Sequence, residues 1–177
     1  MDNSRIFLIS DLHIGHRNIL KYCQRPFSSV EEMNNALINN WNSIITNNDR
    51  VFMLGDFCLT GKDKIIEVGR ALNGRKTLIM GNHESGSKNT YYQAGFEYIS
   101  KYPILYNNQI LFSHEPIPNT KYFNIHGHIH NKDITEIDYI TGNYHLYFNV
   151  SAEKINYTPI NLKDIPIFNN NNNIIGE

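Results

Sequence analysis

Five short polar segments hold most of the chemistry-bearing side chains of this chain: Asp11-Leu12-His13, Gly55-Asp56, Gly81-Asn82-His83-Glu84, Ser113-His114 and Gly127-His128-Ile129-His130. They offer Asp, Asn and His, with no Cys among them. Hard oxygen donors mixed with imidazole suit Mn, Fe, Zn or Ni better than Ca or a structural zinc. Together these segments supply enough donors for two ions that share one carboxylate. In an extended segment, residues two apart point to the same side. Asp11 and His13 are therefore predicted to face one site together, and so are His128 and His130. Gly55, Gly81 and Gly127 each precede a donor, where a missing side chain permits sharp turns and close backbone approach.

Each segment follows an apolar run that reads as a strand. Arg5–Ser10, Val51–Leu54 and Thr77–Met80 are the clearest early ones. Between them, Ser28-x-x-Glu31 and Ser29-x-x-Glu32 both read as capping boxes. Val30, Met33, Leu37, Trp41 and Ile44 then recur at helical spacing. A second helix is predicted from about Lys62 to Leu72, with Gly74 as its stop. The later part is richer in strand patterns: Tyr98–Ser100, Pro103–Tyr106, Gln109–Ser113, Phe123–His126, Ile134–Tyr139 and His145–Val150. Asn107-Asn108 and Thr141-Gly142-Asn143 read as turns. Strand–helix alternation followed by a β-rich half predicts a layered α/β sandwich. An open α/β sheet places its ligands at strand ends, where these segments lie.

The 177 residues fit one domain, predicted over residues 1–168, with an Asn-rich tail over 169–177 that cannot bury enough to stay ordered alone. Lys and Arg total 16 against 17 Asp and Glu, a net charge of -1, which argues against extended nucleic-acid binding. No apolar run approaches a membrane span or a signal-peptide core, and two cysteines, Cys23 and Cys58, fit a reducing compartment. The expected location is cytoplasmic. His stands out: there are 8, and only 6 Arg.

In order, the five segments read D-x-H, G-D, G-N-H-[DE], a lone His and G-H-x-H. That series resembles the calcineurin-like metallophosphoesterase superfamily, and the block from Asp11 to His16 followed by Arg25-Pro26-Phe27 is most similar to its small bacterial and phage-encoded phosphoesterases. The resemblance implies a four-layer α/β sandwich of two mixed sheets flanked by helices, with two divalent metals at the strand ends. Asp11, His13 and His130 would hold the first ion, Asn82, His114 and His128 the second, and Asp56 would bridge them. His83 would be the catalytic residue, a general acid or transition-state stabiliser at the leaving oxygen.

Two divalent ions less the charges of Asp11 and Asp56 leave a site of about +2, suited to a phosphate ester. The implied reaction is hydrolysis by a metal-bridging hydroxide, with manganese as the first candidate cofactor and Fe, Zn or Ni as others. The substrate class is a small phosphate ester or nucleotide, foremost a diester of a small or cyclic nucleotide. A general phosphomonoesterase, a nuclease and a non-catalytic binding scaffold on the same fold stand as alternatives. The G-D-x-x-D-R extension of phosphoprotein phosphatases is missing, because Leu59 and Thr60 occupy its last two positions.

Outside the motifs, His16 is a candidate at the pocket mouth and Arg25 a candidate phosphate clamp, each with an ordinary surface role as the alternative. Arg17, Tyr91, Tyr92 and Lys121 lie in segments that could wall the pocket. His126 is out of phase with His128 and reads as strand packing.

Overall fold

The structure is a computed structural model, and it describes residues 4–84, 86–134 and 144–167. The strand expected over Ile134–Tyr139, the turn at Thr141-Gly142-Asn143 and the Asn-rich tail fall largely outside those residues.

The first sheet contains β1 (Ile6–Ile9), β2 (Arg50–Met53), β3 (Arg75–Ile79), β4 (Phe96–Ser100) and the short β9 (Ile160–Asn161), in the order β4-β3-β2-β1-β9. β1 to β4 run parallel, and β9 lies antiparallel against β1. The second sheet contains β5 (Ile104–Tyr106), β6 (Ile110–Phe112), β7 (Phe123–His126) and β8 (Tyr147–Asn149), in that order. It too is mixed, with β5 antiparallel to β6 and the other pairs parallel.

Strand periodicity divides the core. Phe7, Ile9, Val51, Met53 and Leu78 face one layer, while their neighbours Leu8, Phe52, Leu54 and Ile79 face the other. A sheet buried on both faces needs uninterrupted apolar runs, which explains the β1 and β2 sequences. The first layer packs against α1 (Ile19–Tyr22), α2 (Val30–Ile44), α3 (Lys62–Ala71) and α4 (Lys88–Gln93), all of which bury residues there. The second layer, with Ile110, Phe112, Phe123 and Ile125, joins the two sheets. Helices, first sheet and second sheet thus stack in succession. The helical layer implied beyond the second sheet has no α-helix among the described residues.

Local signals are largely realised. Ser29 caps α2 by accepting from the Glu32 N–H at 3.1 Å, and Glu32 accepts from the Ser28 N–H at 2.7 Å. The box is therefore Ser29 with Glu32, and its return arm reaches one residue further back. Asn107 and Asn108 both have positive φ, and Gln109 N–H donates to Tyr106 O at 3.2 Å, so β5 and β6 form a hairpin with two left-handed turn residues. Short α1 and α4 escaped the periodicity because each spans barely one turn or two. No helix among the described residues is long and apolar enough to cross a membrane.

Candidate metal centre

The donor-bearing loops leave the strand ends of both sheets. Asp11 and His13 follow β1, Asp56 follows β2, Asn82 and His83 follow β3, His114 follows β6, and His128 and His130 follow β7. What brings paired donors together differs from the extended alternation expected. Asp11 (φ 58°), His13 (51°), Asp56 (55°), His128 (71°) and His130 (52°) are all left-handed. Such backbone costs about 1–3 kcal/mol per residue and persists where surroundings over-determine it. Here they do: Asp11 N–H donates to Gly55 O at 3.0 Å and His13 N–H to Asp56 O at 2.9 Å. His128 N–H donates to Asp11 Oδ2 at 2.8 Å, and Ser151 Oγ donates to the same oxygen at 2.9 Å.

Three glycines allow this approach. A Cβ on Gly127 would overlap Ser10 and Asp11, one on Gly55 the His114 ring, and one on Gly81 the Asp56 carboxylate. Gly127→Ala is expected to lower stability by about 1–3 kcal/mol, the usual cost of overpacking a filled interior. Thermal unfolding checks this, and an unchanged Tm would show that the loop has room to give.

Two groups of donors result. In the first, Asp11, His13 and His130 have ligand atoms within 4.8 Å of one another. His13 Nε2 lies 3.9 Å from Asp11 Oδ1, and His130 Nε2 lies 4.0 Å from it. Asp11 Oδ1 and His13 Nε2 are buried with no hydrogen-bond partner. An unsatisfied buried polar atom costs about 1–3 kcal/mol, so two in one pocket suit a site built to take a cation. Burial, helped by the positive fields of His130, Arg25, His16 and His83, pushes the His13 pKa down to about 2. Its imidazole is therefore neutral, the form a metal ligand needs.

In the second group, His114 Nε2, His128 Nδ1 and Asn82 Oδ1 form a triangle with sides of 2.9, 3.1 and 3.2 Å. His114 Nδ1 donates to Leu54 O at 2.8 Å, which leaves Nε2 of the neutral ring bare. Nε2 and Asn82 Oδ1 then face each other as two acceptors, an arrangement a shared cation resolves. Between the groups stands Asp56, whose Oδ2 lies 3.4 Å from His13 Nε2 and 3.6 Å from His114 Nε2. Its Oδ1 accepts from the His83 N–H at 2.9 Å.

The His83 side chain is exposed, and its ring centroid lies 5.3 Å from that of His13. His16 is beside them, 5.4 Å from His13 and 6.2 Å from His83 between ring centroids. Arg25 does not reach the rim, and neither of its expected roles holds. Its side chain is fully buried, with donors committed to Asp11 O, Leu12 O and Glu153. Tyr91 is also fully buried, whereas Tyr92 is exposed. His126 packs within its strand, with Nδ1 donating to Gly127 O at 2.9 Å and burial lowering its pKa to about 4.

Three supporting residues had no assigned role in the sequence reading. Ser151 and Glu153 follow β8, where only the strand-end position offered a hint. Glu84, inside a motif but without an assigned role, accepts from three backbone N–H groups, those of Asp56, Phe57 and Gly81, and so ties the β2 and β3 loops together. Burial raises its pKa despite these bonds. Beside Asn82 and His114 opens a cavity of about 330 Å³, also lined by Lys101, Pro103 and Glu115.

The chain is 37% identical over 170 residues to an uncharacterised protein of Methanocaldococcus jannaschii, covering 92% of this chain and 89% of that one. It is 36% identical over 84 residues to the gene 66 protein of Mycobacterium phage L5, covering 46% and 40%. Among solved structures, a protein of unknown function from Aquifex aeolicus superposes with a TM-score of 0.69 at 25% identity, over 92% of this chain and 97% of that one. A Pseudomonas putida nuclease shares the fold at TM-score 0.51 and 20% identity, over 71% and 62%. The calcineurin-like phosphoesterase family model matches residues 4–169. A match of that extent, over a fold of two mixed sheets, leaves one placement: the chain belongs to the calcineurin-like phosphoesterase family.

Proposed function

We propose that this protein is a two-metal phosphoesterase, with Asp11, His13 and His130 holding one ion, Asn82, His114 and His128 the other, and Asp56 shared. The observation that carries this reading is the position of Asp56 Oδ2, within 3.6 Å of a ring nitrogen from each group. When bound, two divalent ions would supply positive charge at the phosphate oxygens and bring the pKa of bound water to about 7. The chain's own residues do the rest. His13 and His114 turn their Nε2 atoms toward Asp56, while Asp11 and Asp56 offset part of the metal charge without cancelling it. The His83 backbone is pinned to Asp56 Oδ1, which fixes its ring at the open rim, beside His13. From there it holds a proton for the leaving oxygen, the role of a general acid. His16, next to it, is placed to contact the same substrate group.

Small nucleotide diesters, cyclic ones included, are the substrates we favour. The site has an open rim at exposed Asn82 and His83, and the neighbouring cavity of about 330 Å³ is of small-ligand size with one cation, Lys101, in its wall. Manganese is the cofactor we favour, because the donor set is mixed oxygen and imidazole.

The test is hydrolysis of bis-p-nitrophenyl phosphate, p-nitrophenyl phosphate, a cyclic nucleotide and single-stranded DNA by the Mn²⁺-loaded protein. Turnover of the diesters above the monoester supports the reading. Dominant monoester or DNA cleavage makes it a phosphatase or a nuclease. No hydrolysis of any substrate by protein that binds two ions would make it a binding scaffold.

A further inference from the structure

Arg25 and Glu153 form a buried ion pair, with Glu153 Oε1 at 2.8 Å from Arg25 Nε and 2.7 Å from Nη2. Their side chains are 0% and 5% exposed. A buried pair of this kind is a poor stability device, because desolvation offsets most of the attraction. Its geometry serves something else. Arg25 Nη2 donates to Asp11 O at 2.6 Å and Nη1 donates to Leu12 O at 2.8 Å. Those are the carbonyls of the left-handed turn that presents Asp11 and His13. Glu153 Oε1 in turn lies 3.1 Å from His130 Nδ1. A carboxylate only accepts, so Nδ1 carries a proton and Nε2 is the nitrogen turned toward Asp11 Oδ1, 4.0 Å away.

All three donors of the first group thus hang on one charged relay. In the second group the ring is held differently: His114 Nδ1 is oriented by a neutral backbone carbonyl, Leu54 O. Cys23 also hydrogen-bonds His130, and with Glu153 these three could themselves hold a cation. Arg25 Nε and Nη2 and His130 Nδ1 all converge on Oε1 of that carboxylate, so the group supports His130.

We propose that Arg25 and Glu153 are positioning residues that set the affinity of the first ion and leave the second alone. The proposal rests on the two-ion reading above. Histidine ligands whose ring is oriented by a carboxylate lose about 10–100-fold in metal affinity when it is removed. Calorimetric titration of the metal-free full-length protein with Mn²⁺ should show two steps in wild type. In Glu153→Gln, nearly isosteric, one step should weaken about 10–100-fold while the other holds. Arg25→Lys should behave alike, because an ammonium cannot span two carbonyls and a carboxylate as the planar fork does. The Mn²⁺ concentration for half-maximal activity should rise by the same factor, and KM for bis-p-nitrophenyl phosphate at saturating Mn²⁺ should not move.

Equal weakening of both steps in Glu153→Gln would overturn the proposal, since it is what general loosening produces. A raised KM with both steps intact would also overturn it and return Arg25 to substrate binding. A wild type that binds a single ion would overturn the two-ion reading, and the proposal with it.

Discussion

Asp56→Asn is expected to weaken both ions, not one. The substitution keeps the size of the side chain, and Asn Oδ1 can still accept from the His83 N–H that Asp56 Oδ1 binds now. What it removes is the charge on the oxygen that lies 3.4 Å from His13 Nε2 and 3.6 Å from His114 Nε2. Losing a supporting partner costs about 10–100-fold in affinity, and losing a charged direct donor should cost each step at least that much. At limiting Mn²⁺ the activity should fall by the product of both losses, and excess metal should recover part of it. The fold should remain, because Asp56 lies in a loop braced by Glu84 through backbone N–H groups that the substitution leaves in place. Calorimetry and metal analysis check this. Two ions at full occupancy in the variant would contradict the bridge.

His83→Ala should do the reverse, keeping both ions and losing turnover. Its ring is exposed and belongs to neither donor group, while its backbone N–H, which any residue retains, makes the bond to Asp56. A general acid contributes about 10²–10⁴-fold, and most where the leaving group needs a proton. The loss should therefore be largest for an alkoxide leaving group, as in a cyclic nucleotide. It should be much smaller for p-nitrophenolate, which leaves without help. Paired kcat measurements on the two substrates separate this role from any other. Equal losses on both would make His83 a transition-state stabiliser, and lost metal would make it a ligand.

Much of this site is legible in the sequence because its parts obey local rules. Continuous apolar runs mark the strands of a sheet buried on both faces, and the donors fall in the loops just after them. Gly55, Gly81 and Gly127 are readable for a related reason: no Cβ fits where those loops cross. The rest depends on geometry that no local pattern carries. The D-x-H and H-x-H spacings suggested extended backbone, yet all four residues are left-handed, held by bonds between β1, β2 and β7 loops far apart in sequence. Arg25 shows the same gap. Its place before Pro26 suggested a surface or a phosphate contact, whereas its true partner, Glu153, lies 128 residues away and belongs to no motif.

The most direct measurement is a crystal structure of the Mn²⁺-loaded protein with anomalous scattering recorded at the manganese edge. Two peaks are expected, one among Asp11, His13 and His130, the other among Asn82, His114 and His128, with an oxygen of Asp56 on both. A single peak, or a second one away from Asn82, His114 and His128, would contradict the two-metal account.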